Sequence, residues 1–184
     1  MIILDIKKDL DEIVKAINSD KLLIVPTDTL YGVVCKNKDK IYELKKRDLN
    51  KKLIYFCSDI YQTGIKDELF LKLANKFWPG KLTLILDGVS YRIPNQPEFL
   101  KILKIVGKIY SSSANISNHE PYKTWQEYAN DEYFKNQKDL VLIKGSINSS
   151  TGSTIYDLDK KQILREGDLT NELKQYLLTM SINS

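Results

Sequence analysis

Apolar residues recur at helical spacing over residues 9–19, through Leu10, Ile13, Val14 and Ile17, and the unbroken run Leu22, Leu23, Ile24, Val25 then stops at Pro26. Spacings of three and four mark one face of a helix, and a short apolar run ended by proline marks a buried strand. The same alternation continues down the chain. Residues 38–47 predict a helix through Ile41, Tyr42 and Leu44, and 53–57 a second buried strand. Residues 68–77 predict a third helix, stopped by Trp78, Pro79 and Gly80; strands follow at 81–86 and 90–93, the latter ending at Pro94. A helix over 99–106, a strand over 108–112 and a helix over 125–134 capped by Thr124 come next. Strands at 140–143, 153–156 and 161–164 and a helix over 169–180 complete the pattern. With no internal repeat or linker, these elements predict an α/β fold: one mixed sheet layered with helices, a single domain over 1–184.

Composition agrees with that picture. At 184 residues the chain is long enough for one full core, and 42% hydrophobic with 28% charged residues is ordinary for a globular protein. No apolar run approaches the roughly 20 residues needed to cross a bilayer. Charged residues follow Met1 closely, unlike a secretory leader, so a cytoplasmic protein with no membrane attachment is expected. Cys35 and Cys57 are far apart in apolar surroundings and read as buried free thiols; neither a disulfide framework nor a zinc site is expected. A net charge of +4 does not by itself imply nucleic-acid binding.

Candidate chemistry gathers at three turns. Residues 44–52 hold five cations, Lys45, Lys46, Arg47, Lys51 and Lys52, between a predicted helix and a predicted strand. Arg47 offers a planar fork and Lys45 and Lys51 point charges, a division that suits a nucleoside triphosphate; the same cations also suit the negative end of a helix. Residues 26–32 and 111–117 are rich in small hydroxyl donors. There is no P-loop, dinucleotide fingerprint or kinase signature. His119, the single histidine, has no partner at triad-like spacing, and Asp28 reads as a turn cap or an acid near the site. Tyr31, Tyr110 and Tyr122 read as stacking surfaces or sheet packing, packing being favoured.

Seven blocks then fall in a recognisable order: Thr27 to Gly32; Lys45, Lys46, Arg47 with Lys51; Phe77 to Thr83; Tyr91 to Pro94; Ser113 to Ser117; Gly152 to Ile155; and Leu164 to Gly167. Their order resembles the YrdC/TsaC family of L-threonylcarbamoyladenylate synthases, over a core of about 22–167. The resemblance implies the short single-domain form, a twisted mixed sheet with helices packed on it and a concave basic cavity. It places Lys45, Arg47, Lys51, Ser113 and Asn115 on that cavity, with Lys45, Arg47 and Lys51 as the catalytic cations. It assigns Arg47, Lys51, Asn115 and Arg165 to ATP, and Thr29, Arg92, Ser113 and Ser153 to L-threonine. The implied reaction joins L-threonine, bicarbonate or CO2, and ATP into L-threonylcarbamoyl-AMP with release of pyrophosphate, toward threonylcarbamoyl-adenosine in tRNA. ATP would be a substrate bringing its own Mg2+, and the implied partners are the tRNA threonylcarbamoyl transferase complex and tRNA.

This chain departs from the family pattern at four positions. Asp48 and Lys52 replace prolines, which implies a looser loop around Lys51; Phe56 replaces a histidine; and Asn118 replaces a glycine, a change asparagine tolerates because it enters the left-handed region. Two other classes fit the same residues. One is an RNA-binding module using the basic concavity, and the other is a carbamoyl-transfer enzyme fed by carbamoyl phosphate.

Overall fold

The computed structural model describes every residue except Asn148, Ser150, Asn183 and Ser184, with the backbone alone for Ser181 and Ile182. Among the described residues ten strands join in one twisted mixed sheet: β1 (Ile2–Asp5), β2 (Leu22–Pro26), β3 (Tyr31–Cys35), β4 (Ile54–Phe56), β5 (Leu82–Leu86), β6 (Val89–Arg92), β7 (Ile109–Ser113), β8 (Leu140–Lys144), β9 (Thr154–Asp157) and β10 (Gln162–Arg165). Their order across the sheet is β1-β8-β2-β3-β7-β4-β6-β5-β9-β10. Packed on it are α1 (Leu10–Asn18), α2 (Lys38–Lys45), α3 (Glu68–Phe77), α4 (Pro97–Val106), α5 (Trp125–Asn130), α6 (Glu132–Lys135) and α7 (Thr170–Ile182), with a short 3-10 turn at Ile60–Thr63.

The central strands are apolar throughout because both faces are covered. On β2, Leu23 and Val25 face the cluster under α1 and α4, whereas Leu22 and Ile24 face the one under α2, α5 and α6. β8 repeats this, with Val141 and Ile143 on the first side and Leu140 and Leu142 on the second. Such strands read as continuous hydrophobic runs. Toward the other end, α3 and α7 cover one face only, over Leu82, Leu84, Tyr91 and Tyr156. Here the strands alternate, and residues such as Thr83, Ser90 and Arg92 point to the opposite face. That half-face is what becomes the site.

Three features differ from the sequence expectation. β1 is a strand of four residues with exposed Ile2 and Ile3, paired in parallel to β8, too short for its periodicity to announce it. β3 begins at Tyr31, inside the stretch that reads as turn chemistry. The helix expected over 125–134 breaks at Asp131, whose Oδ1 accepts from the backbone N–H groups of Tyr133 and Phe134 and so starts α6 as a new cap. Cys35 and Cys57 are free and buried. Among the described residues no helix is long and apolar enough to cross a membrane.

Candidate functional site

The half-face left bare by α3 and α7 closes into a cavity of about 410 Å³. Its floor is Ile54 and Phe56 of β4, Ile85 of β5, and Ser90 and Arg92 of β6; its walls come from Thr27, Thr29 and Leu30, the three serines of β7, Gly152, Ser153 and Ile155, and Leu164 and Arg165 of β10. Arg47, Lys52, Arg92 and Arg165 all line it and no acidic side chain does, so among the described residues its charged lining is cationic. A concave site of this sign concentrates anions.

Arg92 is held from three sides. Its Nε donates to the carbonyl of Gly80 (3.0 Å), Nη1 donates to Thr29 Oγ1 (3.0 Å) and Nη2 donates to Asp28 Oδ1. The Trp78-Pro79-Gly80 turn that offers the carbonyl is fixed by Trp78 Nε1 donating to Leu82 O (2.6 Å) and by Gly80 N donating to Ile93 O (2.8 Å). The guanidinium also lies over the Phe56 ring at 5.8 Å. Asp28 is an acid beside the site, as the buried partner of Arg92, and not the turn cap; the turn is closed by Thr27, whose hydroxyl donates to Leu30 O (2.6 Å) and accepts from Thr29 N (3.1 Å). The other oxygen of Asp28, Oδ2, is buried and has no hydrogen-bond partner among the described residues. Burial pushes the Arg92 pKa down, with Asp28 opposing and Arg165 adding to the fall.

Arg165 follows a similar plan. Its Nε donates to Ser153 O (2.8 Å) and Nη2 to Ser153 Oγ (3.0 Å), and that hydroxyl also meets Thr83 Oγ1 at 2.7 Å. Burial lowers its pKa too. Gly152 makes room for the guanidinium: a Cβ there would stand 2.9 Å from Arg165 Cζ.

The cationic tract divides. Lys45 is turned inward at the end of α2 and is 1% exposed; its Nζ donates to Ser113 O, to Asn115 O (2.6 Å) and to Asn115 Oδ1 (3.1 Å). Burial, with Arg47 nearby, pushes its pKa down to about 7. Asn115 in turn donates through Nδ2 to Ile116 O (3.0 Å) and to His119 O (2.6 Å), so Lys45 and Asn115 brace the serine turn from behind the cavity wall. Asn118 in that turn takes φ +70°, the left-handed conformation expected of it. Arg47 reaches the cavity, with Nε donating to Lys51 O (3.2 Å) and Nη2 to Lys52 O (3.1 Å). Lys51 is exposed on the same loop, and it is Lys52 that joins the lining. His119 is exposed.

The structure therefore gathers Thr29, Arg47, Arg92, Ser113, Ser153 and Arg165 around one cavity, with Lys45, Asn115 and Lys51 outside its lining. The sequence reading left out Asp28 as a partner of Arg92, Gly152 as the seat of Arg165, and Lys52. A signal existed for the inward turn of Lys45: it lies four residues after Ile41, on the buried face of its helix. Among the described residues no group of three or more His, Cys, Asp or Glu is placed to hold a metal ion.

The Sua5/YciO/YrdC family model, described as telomere recombination, matches residues 15–167. The chain is 38% identical over 155 residues to an uncharacterised Mycoplasma pneumoniae protein, the MG259 homolog, covering 84% of this chain and 34% of that one. It is 33% identical over 183 residues to a putative threonylcarbamoyl-AMP synthase of Methanocaldococcus jannaschii, covering 88% and 86%. Among solved structures, P. abyssi Sua5 complexed with L-threonine superposes with a TM-score of 0.84 at 26% identity, over 95% of this chain and 60% of that one. E. coli YciO superposes with a TM-score of 0.76 at 21% identity, over 92% and 96%, a likeness of fold. The chain thus spans about a third of the mycoplasma protein and 60% of the Sua5 chain.

Proposed function

The chain belongs to the Sua5/YciO/YrdC family, and from that premise we propose that its cavity makes L-threonylcarbamoyl-AMP from L-threonine, bicarbonate or CO2, and ATP. The observation that carries this reading is the convergence of Arg47, Arg92 and Arg165 on one cavity that also presents Thr29, Ser113 and Ser153. With Arg92 already paired to Asp28, Arg47, Arg165 and Lys52 keep the lining net positive, which suits an anionic substrate set such as a triphosphate with an amino-acid carboxylate.

The roles follow from position. Arg92 has five N–H donors and spends three on Gly80, Thr29 and Asp28, which leaves two for a carboxylate in a fixed orientation. Thr29 and Ser153 supply hydroxyls to the same cavity. Arg47 and Arg165 take phosphate oxygens, and Lys51 meets the triphosphate from the exposed loop. The threonine amine attacks CO2 to form a carbamate, the carbamate oxygen attacks the α-phosphorus in line, and pyrophosphate leaves. No protein nucleophile takes part, and the protein contributes positioning and charge neutralisation. Magnesium arrives on the triphosphate. The adenylate then passes to the enzymes that modify tRNA.

Purified protein incubated with ATP, bicarbonate and each amino acid in turn tests the proposal: pyrophosphate should appear with L-threonine alone. Turnover of carbamoyl phosphate, or RNA binding that falls steeply with salt and no pyrophosphate release, would replace it with one of the two other classes.

A further inference from the structure

The loop bearing Arg47 and Lys51 is fastened at its far end by a contact that spans 36 residues. Lys52 Nζ donates to the carbonyl of Gly88 at 2.6 Å. Gly88 belongs to the two-residue Asp87-Gly88 turn joining β5 to β6, where φ is +50° and +69°. That turn is itself held, because the carboxylate of Asp159 accepts from Asp87 N and Gly88 N, both at 3.1 Å. The near end of the loop is closed by Asp48, whose Oδ1 accepts from Asn50 N (2.9 Å) and whose carbonyl accepts from Lys51 N (3.0 Å). Arg47 then donates to the carbonyls of Lys51 and Lys52, so its direction depends on where those two residues sit.

We infer that Lys52 is a positioning residue: its ammonium latches the cationic loop to the β5–β6 turn at the cavity mouth and so aims Arg47 at the anionic substrate. The carbonyl of Gly88 is a neutral acceptor, so the contact orders the loop without cancelling the cavity's charge. The latch supplies the stiffness that Asp48 and Lys52, standing where prolines were expected, would otherwise forgo. Its catalytic consequence rests on the proposed nucleotide site; its structural consequence does not.

Lys52→Met keeps the aliphatic stem and removes the donor, and Lys52→Arg keeps a donor. In the substrate-free protein, hydrogen exchange at the amides of Asn50 and Lys51 should quicken about 3- to 10-fold in Lys52→Met and stay within about twofold of wild type in Lys52→Arg. In pyrophosphate release, the KM for ATP should rise about 3- to 10-fold in Lys52→Met while that for L-threonine stays within about twofold. Loosening the acceptor with Asp159→Ala should reproduce part of the effect, and adding Lys52→Met to Asp159→Ala should change the KM for ATP by less than about twofold. Unchanged exchange in Lys52→Met overturns the latch. Faster exchange with an unchanged KM for ATP, or fully additive effects in the double variant, overturns the positioning role, the second because Lys52 would then meet the nucleotide directly. If the wild-type protein releases no pyrophosphate, the functional proposal fails, and the exchange comparison alone still decides the latch.

Discussion

Lys45 is a buried cation facing three carbonyl oxygens and, among the described residues, no counter-charge, an arrangement whose stability depends on pH in a calculable direction. An unfolded lysine holds its proton to about 10.5, whereas Lys45 in the fold is pushed down to about 7 by burial and by Arg47. Below pH 7 both states are protonated and the residue adds no slope. Between about 7 and 10.5 the unfolded chain binds one more proton than the folded one, so stability rises with pH by about 1.36 kcal/mol per unit. From pH 7 to pH 9 that is about 2.7 kcal/mol, or about 5 to 11 °C in melting temperature for a chain of this size. Lys45→Met removes the titration. It also leaves three acceptors, Ser113 O, Asn115 O and Asn115 Oδ1, without this donor, a constant cost of about 1 to 3 kcal/mol. Urea melts of both proteins at pH 6, 7, 8 and 9 isolate the effect, because all other titrations cancel in the difference. The gap between wild type and variant should widen in favour of wild type by about 2.7 kcal/mol from pH 7 to 9. A gap constant within about 0.5 kcal/mol would refute the reasoning, since the three carbonyls would then hold the proton against burial.

Arg92→Lys should weaken L-threonine about 10-fold or more, because one ammonium cannot span Gly80, Thr29 and Asp28 and still present a fork; threonine titrations at saturating ATP that agree within twofold would rule out this anchor. Arg47→Ala should slow adenylate formation about 10- to 150-fold, the worth of one charge-assisted contact, with an unchanged melting temperature as the control, and a wild-type rate would contradict its place in the site. In Gly152→Ala the new methyl meets Arg165 Cζ at 2.9 Å and should displace the guanidinium from Ser153, raising the KM for ATP several-fold; an unchanged KM would separate Arg165 from the nucleotide.

The strands over 22–25 and 140–143 were legible because both of their faces are buried, leaving runs with no polar interruption, and 53–57 was legible as an apolar run although Leu53, Ile54 and Tyr55 are only half-buried. β1 was not, since its pairing with β8 comes from residues some 139 positions away and leaves Ile2 and Ile3 half in solvent. At the site, the arginines and hydroxyls could be named from motif order alone. Their couplings could not: that Asp28 partners Arg92, that Lys45 points inward while Lys52 reaches the carbonyl of Gly88, and that Gly152 yields space to Arg165 are facts of tertiary approach. Local sequence constrains the direction of a side chain on a helix face and says little about a loop, which is why Lys45 carried a usable signal and Lys52 carried none.

The pairing of β1 with β8 also sets an order of events during synthesis. Ile2 lies beside Val141, so the first strand has no sheet partner until 139 more residues have been made. At about 5 to 20 residues per second, β1 waits about 7 to 28 s with its backbone N–H and C=O groups unpaired, an interval in which a strand edge is open to other chains. Ser153 and Arg165 emerge later still, beside β9 and on β10, so of the described elements only α7 follows the last of the cavity lining. A nascent chain stalled short of β9 would bear Arg47 and Arg92 but lack Ser153 and Arg165, and so would have no finished pocket.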